Sequence, residues 1–200
     1  VVYDLVGRLS HEDVRDRSIM ALMQRYHVDE EAAQLVARRA RMLFDASYKS
    51  WDLQPGDREL LIWAALSQEV GKAIAHKHYH RHGAYLLRNS DLPGFPQHEQ
   101  EDMAILVEGQ HGKIRPGLFA DSDDVALLRL QRLVALLRLA TLFKYVEPLE
   151  KLPDFTIKVT AKSLQLDFPS DWLEQHPLTA RELAQQQEAF KRMDLRLEFK

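Results

Sequence analysis

From Val125 to Val146 the chain contains no acid and places Leu127, Leu128, Leu130, Leu133, Val134, Leu136, Leu137, Leu139, Leu142 and Phe143 in a single run. At 3.6 residues per turn these side chains fall on nearly every side of a helix, and such a helix is stable only in the middle of a domain. The expected helix starts at Asp121-Ser122, and the rest of the chain must be built to cover it. Its most apolar part, residues 133–143, includes Arg138 and is far shorter than the ~20 residues of a membrane span. At 100° per residue Arg129, Arg132 and Lys144 share one side, with Arg138 opposite. A guanidinium among leucines needs a partner, because an unpaired buried charge is costly. For Arg138 an internal ion pair is the first expectation and contact with a bound anion the second.

Shorter amphipathic helices are available to cover it. Ser10 followed by Asp13 reads as a helix start, and Ile19, Leu22, Met23 and Tyr26 then recur at i, i+3, i+4 and i+7. A second helix runs from Asp29, Glu30 and Glu31, acids suited to the positive end of a helix dipole, to about Tyr48. Pro55-Gly56-Asp57 reads as a turn and cap before a largely buried helix that ends near Gly71. Glu99, Glu101 and Asp102 after Pro96 mark a helix over 97–107, and residues 108–120, with three glycines and Pro116, read as a loop. Beyond Pro148 and Pro153 the period changes to two. FTIKVT and LQLDF alternate across Ala161-Lys162-Ser163 and predict a β-hairpin, followed by a helix over about 179–193 and LRLEF as a third strand. The fold class is therefore mainly α: an all-helical domain over 1–150, then a small α+β domain over 151–200 with a short antiparallel sheet. No repeat or low-complexity tract interrupts it.

Residues 67–96, SQEVGKAIAHKHYHRHGAYLLRNSDLPGFP, hold four of the nine histidines, His76, His78, His80 and His82, on an expected loop and short helix. From Val70 to Ser90 there is no Asp or Glu, although 30 acids in 200 residues would place about three there. Lys72, Lys77, Arg81 and Arg88 occupy the gap. A basic, carboxylate-free segment is suited to an anion, since no fixed negative charge opposes it. The net charge of −3 excludes a generally basic nucleic-acid binder, so the anion site must be local. If the histidines carry charge at that site, anion binding weakens as pH rises through about 6.5. The alternative reading of the histidines is a metal site, and the plain one is a hydrogen-bonding surface loop. Lys113 and Arg115 add phosphate donors in a glycine-rich loop. Arg38, Arg39 and Arg41 read as a solvated helix face, and Trp51, Trp63 and Trp172 as core. The absence of cysteine excludes disulfides and thiolate zinc sites and fits a reducing cytoplasm. The chain opens VVYDLVGR without an initiator methionine, as an excerpt of a longer protein would.

Read in order, YDLVGRLSHEDVRDRS at 3–18, VARRARMLFD at 36–45, HYHRHGAYLLRNSDLPGF at 78–95 and LVALLRLATLF at 133–143 resemble the C-terminal half of the exopolyphosphatase and guanosine pentaphosphate phosphohydrolase family. FPSDW at 168–172 resembles the extra small domain of its longer members. The resemblance implies a helical domain derived from the histidine-aspartate phosphohydrolase fold. There, imidazole and carboxylate together hold divalent metals that activate water. The corresponding positions here are Ala32, Gln68-Glu69 and Thr141, which leave Glu69 as a lone candidate ligand, so metal hydrolysis is expected to be lost.

What the resemblance implies for function is a supporting part. The chain is expected to be a non-catalytic portion of an exopolyphosphatase, with no catalytic residue, metal ligand or cofactor of its own, gripping inorganic polyphosphate and supporting a homodimer. N-terminal actin-like domains of the same protein, outside this chain, are expected to bind magnesium and release terminal orthophosphate. The expected polyphosphate contacts are Lys77, His80, Arg81, His82, Arg88, Lys113, Arg115 and Arg138, led by His80, Arg81 and His82, which carry the family match. The alternative is a pure dimerisation module of a guanosine pentaphosphate phosphohydrolase, and the third is a residual His-Asp phosphohydrolase. The expected location is the cytoplasm, extending to peripheral association with the inner membrane, with neither a membrane span nor a nucleic-acid partner.

Overall fold

The computed structural model describes residues 14–146 and 152–200. In order these form helices α1 (Val14–Arg25), α2 (Glu30–Ser47) and α3 (Pro55–Ser67), a 3-10 turn (Val70–Ala73), then α4 (Tyr79–Asn89), α5 (Gln97–Gly109) and α6 (Asp124–Val146). Strands β1 (Thr156–Thr160) and β2 (Ser163–Asp167), helices α7 (Trp172–Gln175) and α8 (Pro177–Lys191), and strand β3 (Arg196–Phe199) follow. The protein is mainly α with a small α+β part, as the sequence pattern predicts.

Helix α6 is the axis of the molecule. Leu133, Val134, Ala135, Leu136, Leu137, Leu139, Ala140 and Phe143 are all fully buried, and α2, α3, α5 and α8 pack on it. Its first turn is held by Asp123, whose Oδ1 accepts from the amides of Val125 at 3.1 Å and Ala126 at 2.8 Å. The expected start at Asp121-Ser122 is instead the end of a series of turns, with the Ser122 amide donating to the Phe119 carbonyl at 3.1 Å. The side of α6 that carries Arg129, Arg132 and Lys144 is paired internally. Arg129 donates to Asp57 at 2.8 Å and to Asp102, Arg132 to the Trp51 carbonyl at 2.8 Å, and Lys144 to Glu69 at 2.6 Å.

Local signals set most of the other boundaries. Asp29 caps α2 by accepting from the Ala32 amide at 3.0 Å. Pro55-Gly56-Asp57 is itself the first turn of α3 rather than a turn before it. Proline at the first helical position loses no bond there, and Asp57 completes a capping box by accepting from the Gln54 amide at 2.8 Å. Helix α3 stops at Ser67, and the stretch to Gly71 continues as the separate 3-10 turn. The expected start of α1 at Ser10 lies outside the described residues, while Ile19, Leu22 and Met23 point into the core.

The sheet has the order β1-β2-β3. The predicted hairpin forms, with Thr160 opposite Ser163, but β3 joins β2 in parallel, pairing Ser163 with Arg196 and Leu166 with Phe199, so the sheet is mixed rather than antiparallel. The cause is α8, which carries the chain back along the sheet so that β3 enters from the same end as β2. Leu164, Leu166, Leu183 and Phe190 form the inner side of this unit. It meets the helices through Phe155, whose ring centroid lies 5.3 Å from Phe143, and through Trp51, whose Nε1 donates to the Thr160 carbonyl at 2.7 Å. Trp51 and Trp63 are core residues, whereas Trp172 is half-buried and stacks on Phe168 at 5.2 Å. No helix among the described residues is long and apolar enough to cross a membrane.

Candidate anion-binding site

The histidine stretch is placed by two glycines. The 3-10 turn lies so close across α4 that a Cβ on Gly71 would meet the Tyr79 carbonyl oxygen at 2.0 Å and the Gly83 nitrogen at 2.3 Å. Only a residue without a side chain allows this approach. The chain then swings outward through His76, Lys77 and His78, all exposed, and His78 enters α4 with φ of 58°. On the helix the histidines part company: His82 is half-buried, and His80 turns inward to 6% exposure. The His80 ring lies 5.4 Å from that of His111 and 6.1 Å from that of His78, and its buried Nδ1 has no hydrogen-bond partner among the described residues. Burial is the main reason its pKa falls to about 4, and His111, Arg81, His78 and Arg138 push in the same direction. His80 is therefore neutral near pH 6.5, and the expected weakening of anion binding through that pH cannot rest on it. Burial and Arg138 likewise lower the pKa of His111, against an opposing pull from Glu182.

Arg138 is 4% exposed and holds the loop after α5 in place. Its Nη1 donates to the Gly109 carbonyl at 2.6 Å, its Nη2 to the Gly112 carbonyl at 3.0 Å, and its Nε to Gln186 Oε1 on α8 at 2.7 Å. These acceptors are neutral, so the first expectation, an internal ion pair, gives way to a cation solvated by carbonyls. Burial lowers its pKa to about 10, which leaves it charged at neutral pH. Arg138 lines a cavity of about 1030 Å³ between α6, residues 110–114 and residues 175–192, and Lys113 and His111 line it too.

The remaining predicted residues divide into two groups. Lys77, Arg81 and Lys113 are exposed and have no carboxylate partner among the described residues. Arg88 and Arg115 are committed to acids: Arg88 donates to Glu101 at 2.8 Å and Glu108 at 3.2 Å, and Arg115 pairs with Glu108. The structure thus brings His80 and Arg138 to the 110–114 loop, which also carries Lys113, leaves Arg81 exposed on α4, and holds Arg88 and Arg115 in a separate acid-bound cluster. Sequence reasoning passed over His111, Gln110 and His176. For His111, its place directly before Gly112-Lys113 was the available signal.

The positions that would hold metal do not suit one. Glu69 is 8% exposed and receives hydrogen bonds from Lys144 and Lys72, each at 2.6 Å. Burial opposes its ionisation, but the two ammonium groups outweigh it and keep the pKa below the ordinary value. Beside it, Thr141 Oγ1 donates to Gln110 Oε1 at 3.2 Å, and Gln110 Nε2 donates to the Gln68 carbonyl at 2.7 Å. Glu69 is thus a lone carboxylate already shared by two cations. A divalent ion there would meet lysines where it needs anionic ligands.

The family described as Ppx/GppA phosphatase, domain III, matches residues 14–187. The guanosine-5'-triphosphate,3'-diphosphate pyrophosphatase of Pseudoalteromonas translucida is 35% identical over 187 residues, covering 93% of this chain. The chain spans 37% of that relative's length.

Proposed function

The chain belongs to the Ppx/GppA phosphatase family, in which it matches the third domain, and from that premise we propose that it is a non-catalytic part of an exopolyphosphatase that holds inorganic polyphosphate and supports dimerisation. Magnesium binding and release of terminal orthophosphate then fall to actin-like domains N-terminal to it in the same cytoplasmic protein. One observation carries the reading: among the described residues, the charged groups that act on His80, namely His111, Arg81, His78 and Arg138, are cations or become cations on protonation. Exposed Lys77 and Lys113 extend the set along the chain. A polyanion approaching here meets positive charge that, among the described residues, Glu182 near His111 offsets only in part. His80 contributes as a neutral prop under the loop, and Arg88 and Arg115 stay with their acids.

Titration of labelled polyphosphate at two salt concentrations tests this. Each phosphate contact releases counterions, so log K falls with log salt by about 0.7 per contact if single-stranded nucleic acid is the guide. The Lys77→Glu/Arg81→Glu double variant is expected to weaken binding at least tenfold and to flatten the salt slope. No binding by the folded chain at either salt concentration, or an unchanged double variant, ends the chain-holding reading. Sedimentation velocity tests the dimer.

The relative's name favours a second reading, a pure dimerisation module of a guanosine pentaphosphate phosphohydrolase. It expects the same dimer and no effect of the Lys77 and Arg81 substitutions on substrate handling by the full-length enzyme.

A further inference from the structure

We infer that the cavity between α6 and α8 binds a small zwitterion of the amino-acid type, with its carboxylate on Arg138 and Lys113, its ammonium on Glu182 and Thr179, and an apolar side chain against Ile114 and Leu178. Such binding does not depend on the holding of a phosphate chain. The volume of about 1030 Å³ lies at the upper end of the ~300–1,000 Å³ usual for small-molecule sites, which leaves room for a free amino acid or a short peptide. The charges of the walls select the ligand. Lys113, Arg138 and Arg192 share the lining with Glu182 and Glu188, so a plain anion meets two carboxylates and a plain cation meets three basic groups. A molecule that carries both charges opposes neither set. Glu188 and Arg192 stand one helical turn apart with opposite signs, and that end adds little net field. Glu182 is the acid that faces the cationic side, since His111 feels both Arg138 and Glu182.

Each charged end has a receptor. Arg138 is almost wholly buried and is held still by Gly109, Gly112 and Gln186, and those three bonds leave one N–H on each Nη for a carboxylate. Lys113, exposed and without a carboxylate partner among the described residues, adds a donor from the loop that Arg138 positions. On α8, Thr179, Glu182 and Gln186 recur at i, i+3 and i+7, so they share the side turned toward Arg138, which Gln186 bonds. Glu182 has no hydrogen bond or ion pair among the described residues. Thr179 is 5% exposed, and its hydroxyl also has no partner among them, whereas a buried hydroxyl is normally satisfied. An ammonium group, with three donors, supplies what both lack. The apolar part of the ligand meets Ile114, Leu142 and Leu178, the last of which is 73% exposed and has most of its surface still to bury.

Calorimetric titration of the chain with L-leucine and with the tripeptide Leu-Ala-Leu, each beside its N-acetylated and its C-amidated form, tests the assignment. A free form is expected to bind at least tenfold more tightly than both of its blocked forms, and the tighter of leucine and tripeptide identifies an amino acid or a peptide as the source. Glu182→Gln, at an exposed position, is expected to weaken the free form about tenfold and to leave the N-acetylated form within twofold. Lys113→Gln is expected to weaken the free and N-acetylated forms alike and to leave the amide unchanged. Ala184→Trp, exposed and on the cavity wall, is expected to abolish binding. Inorganic tripolyphosphate, which has no ammonium, is expected to bind at least tenfold more weakly than the free form. No binding of either zwitterion at millimolar concentration, a blocked form or tripolyphosphate that binds as tightly as the free one, or an affinity untouched by Glu182→Gln at unchanged melting temperature would each overturn the inference.

Discussion

His80 is a titratable group that the fold keeps uncharged, and that has a measurable consequence. Its folded-state pKa of about 4 lies below the ordinary 6.5, so between those values the unfolded chain binds a proton that the folded chain refuses. The stability tied to this group is complete above pH 6.5 and is lost as pH falls toward 4, by at most about 3 kcal/mol. His111 adds a contribution of the same sign, and His78, Arg81 and Arg138 are the other charged groups that face His80. Urea midpoints measured from pH 7.5 to 4.5 are expected to fall, and to fall less steeply in His80→Gln. Parallel curves for the two proteins would show that the imidazole is not the sensor. Arg138→Met is expected to cost about 3 kcal/mol, because it strands the carbonyls of Gly109 and Gly112. Residue types at the site were legible in the sequence: the acid-free runs name Arg81 and Arg138 as unusual cations. Direction was not. Alternating histidines look equivalent on paper, and only the Gly71–Gly83 approach, which fixes the rotation of α4, decides that His80 points inward while Lys77 and His78 point out.

Two glycines test how tightly the elements are set. A Cβ at Gly71 would overlap backbone atoms of α4, which cannot move as a side chain can, so Gly71→Ala is expected to destabilise by about 3 kcal/mol or more. Gly56, in the first turn of α3, has nothing within 4 Å of its hypothetical Cβ, and Gly56→Ala is expected to stabilise by about 0.5–1 kcal/mol through the unfolded state. Thermal or urea melts of both variants check the contrast, and equal effects would show that the turn and α4 are looser than drawn. At this scale the sequence was most informative where one period dominates. The run of leucines in α6 and the alternation of β1 and β2 leave little choice of structure. Boundaries set by a cap side chain were displaced, as at Asp123 and Pro55, because several nearby residues can cap equally well. The parallel entry of β3 was not legible, since strand alternation carries no information on direction and the crossover through α8 decides it.

The whole molecule shares one buried network from α1 to β3, with Phe143, Phe155 and Phe168 joining the helical part to the sheet and Arg132 bridging the Trp51 and Ala161 carbonyls. If that network is continuous in solution, the two parts open together. Native-state hydrogen exchange in low urea is expected to give the amides of Leu164 and Leu166 the same opening free energy and urea dependence as those of Leu136 and Leu137, all of which belong to fully buried residues. An earlier opening of the sheet would instead mark a separate small domain. The cavity makes the comparison sharper, because α6 forms one wall and α7 and α8 the other, tied across by the bond from Arg138 to Gln186.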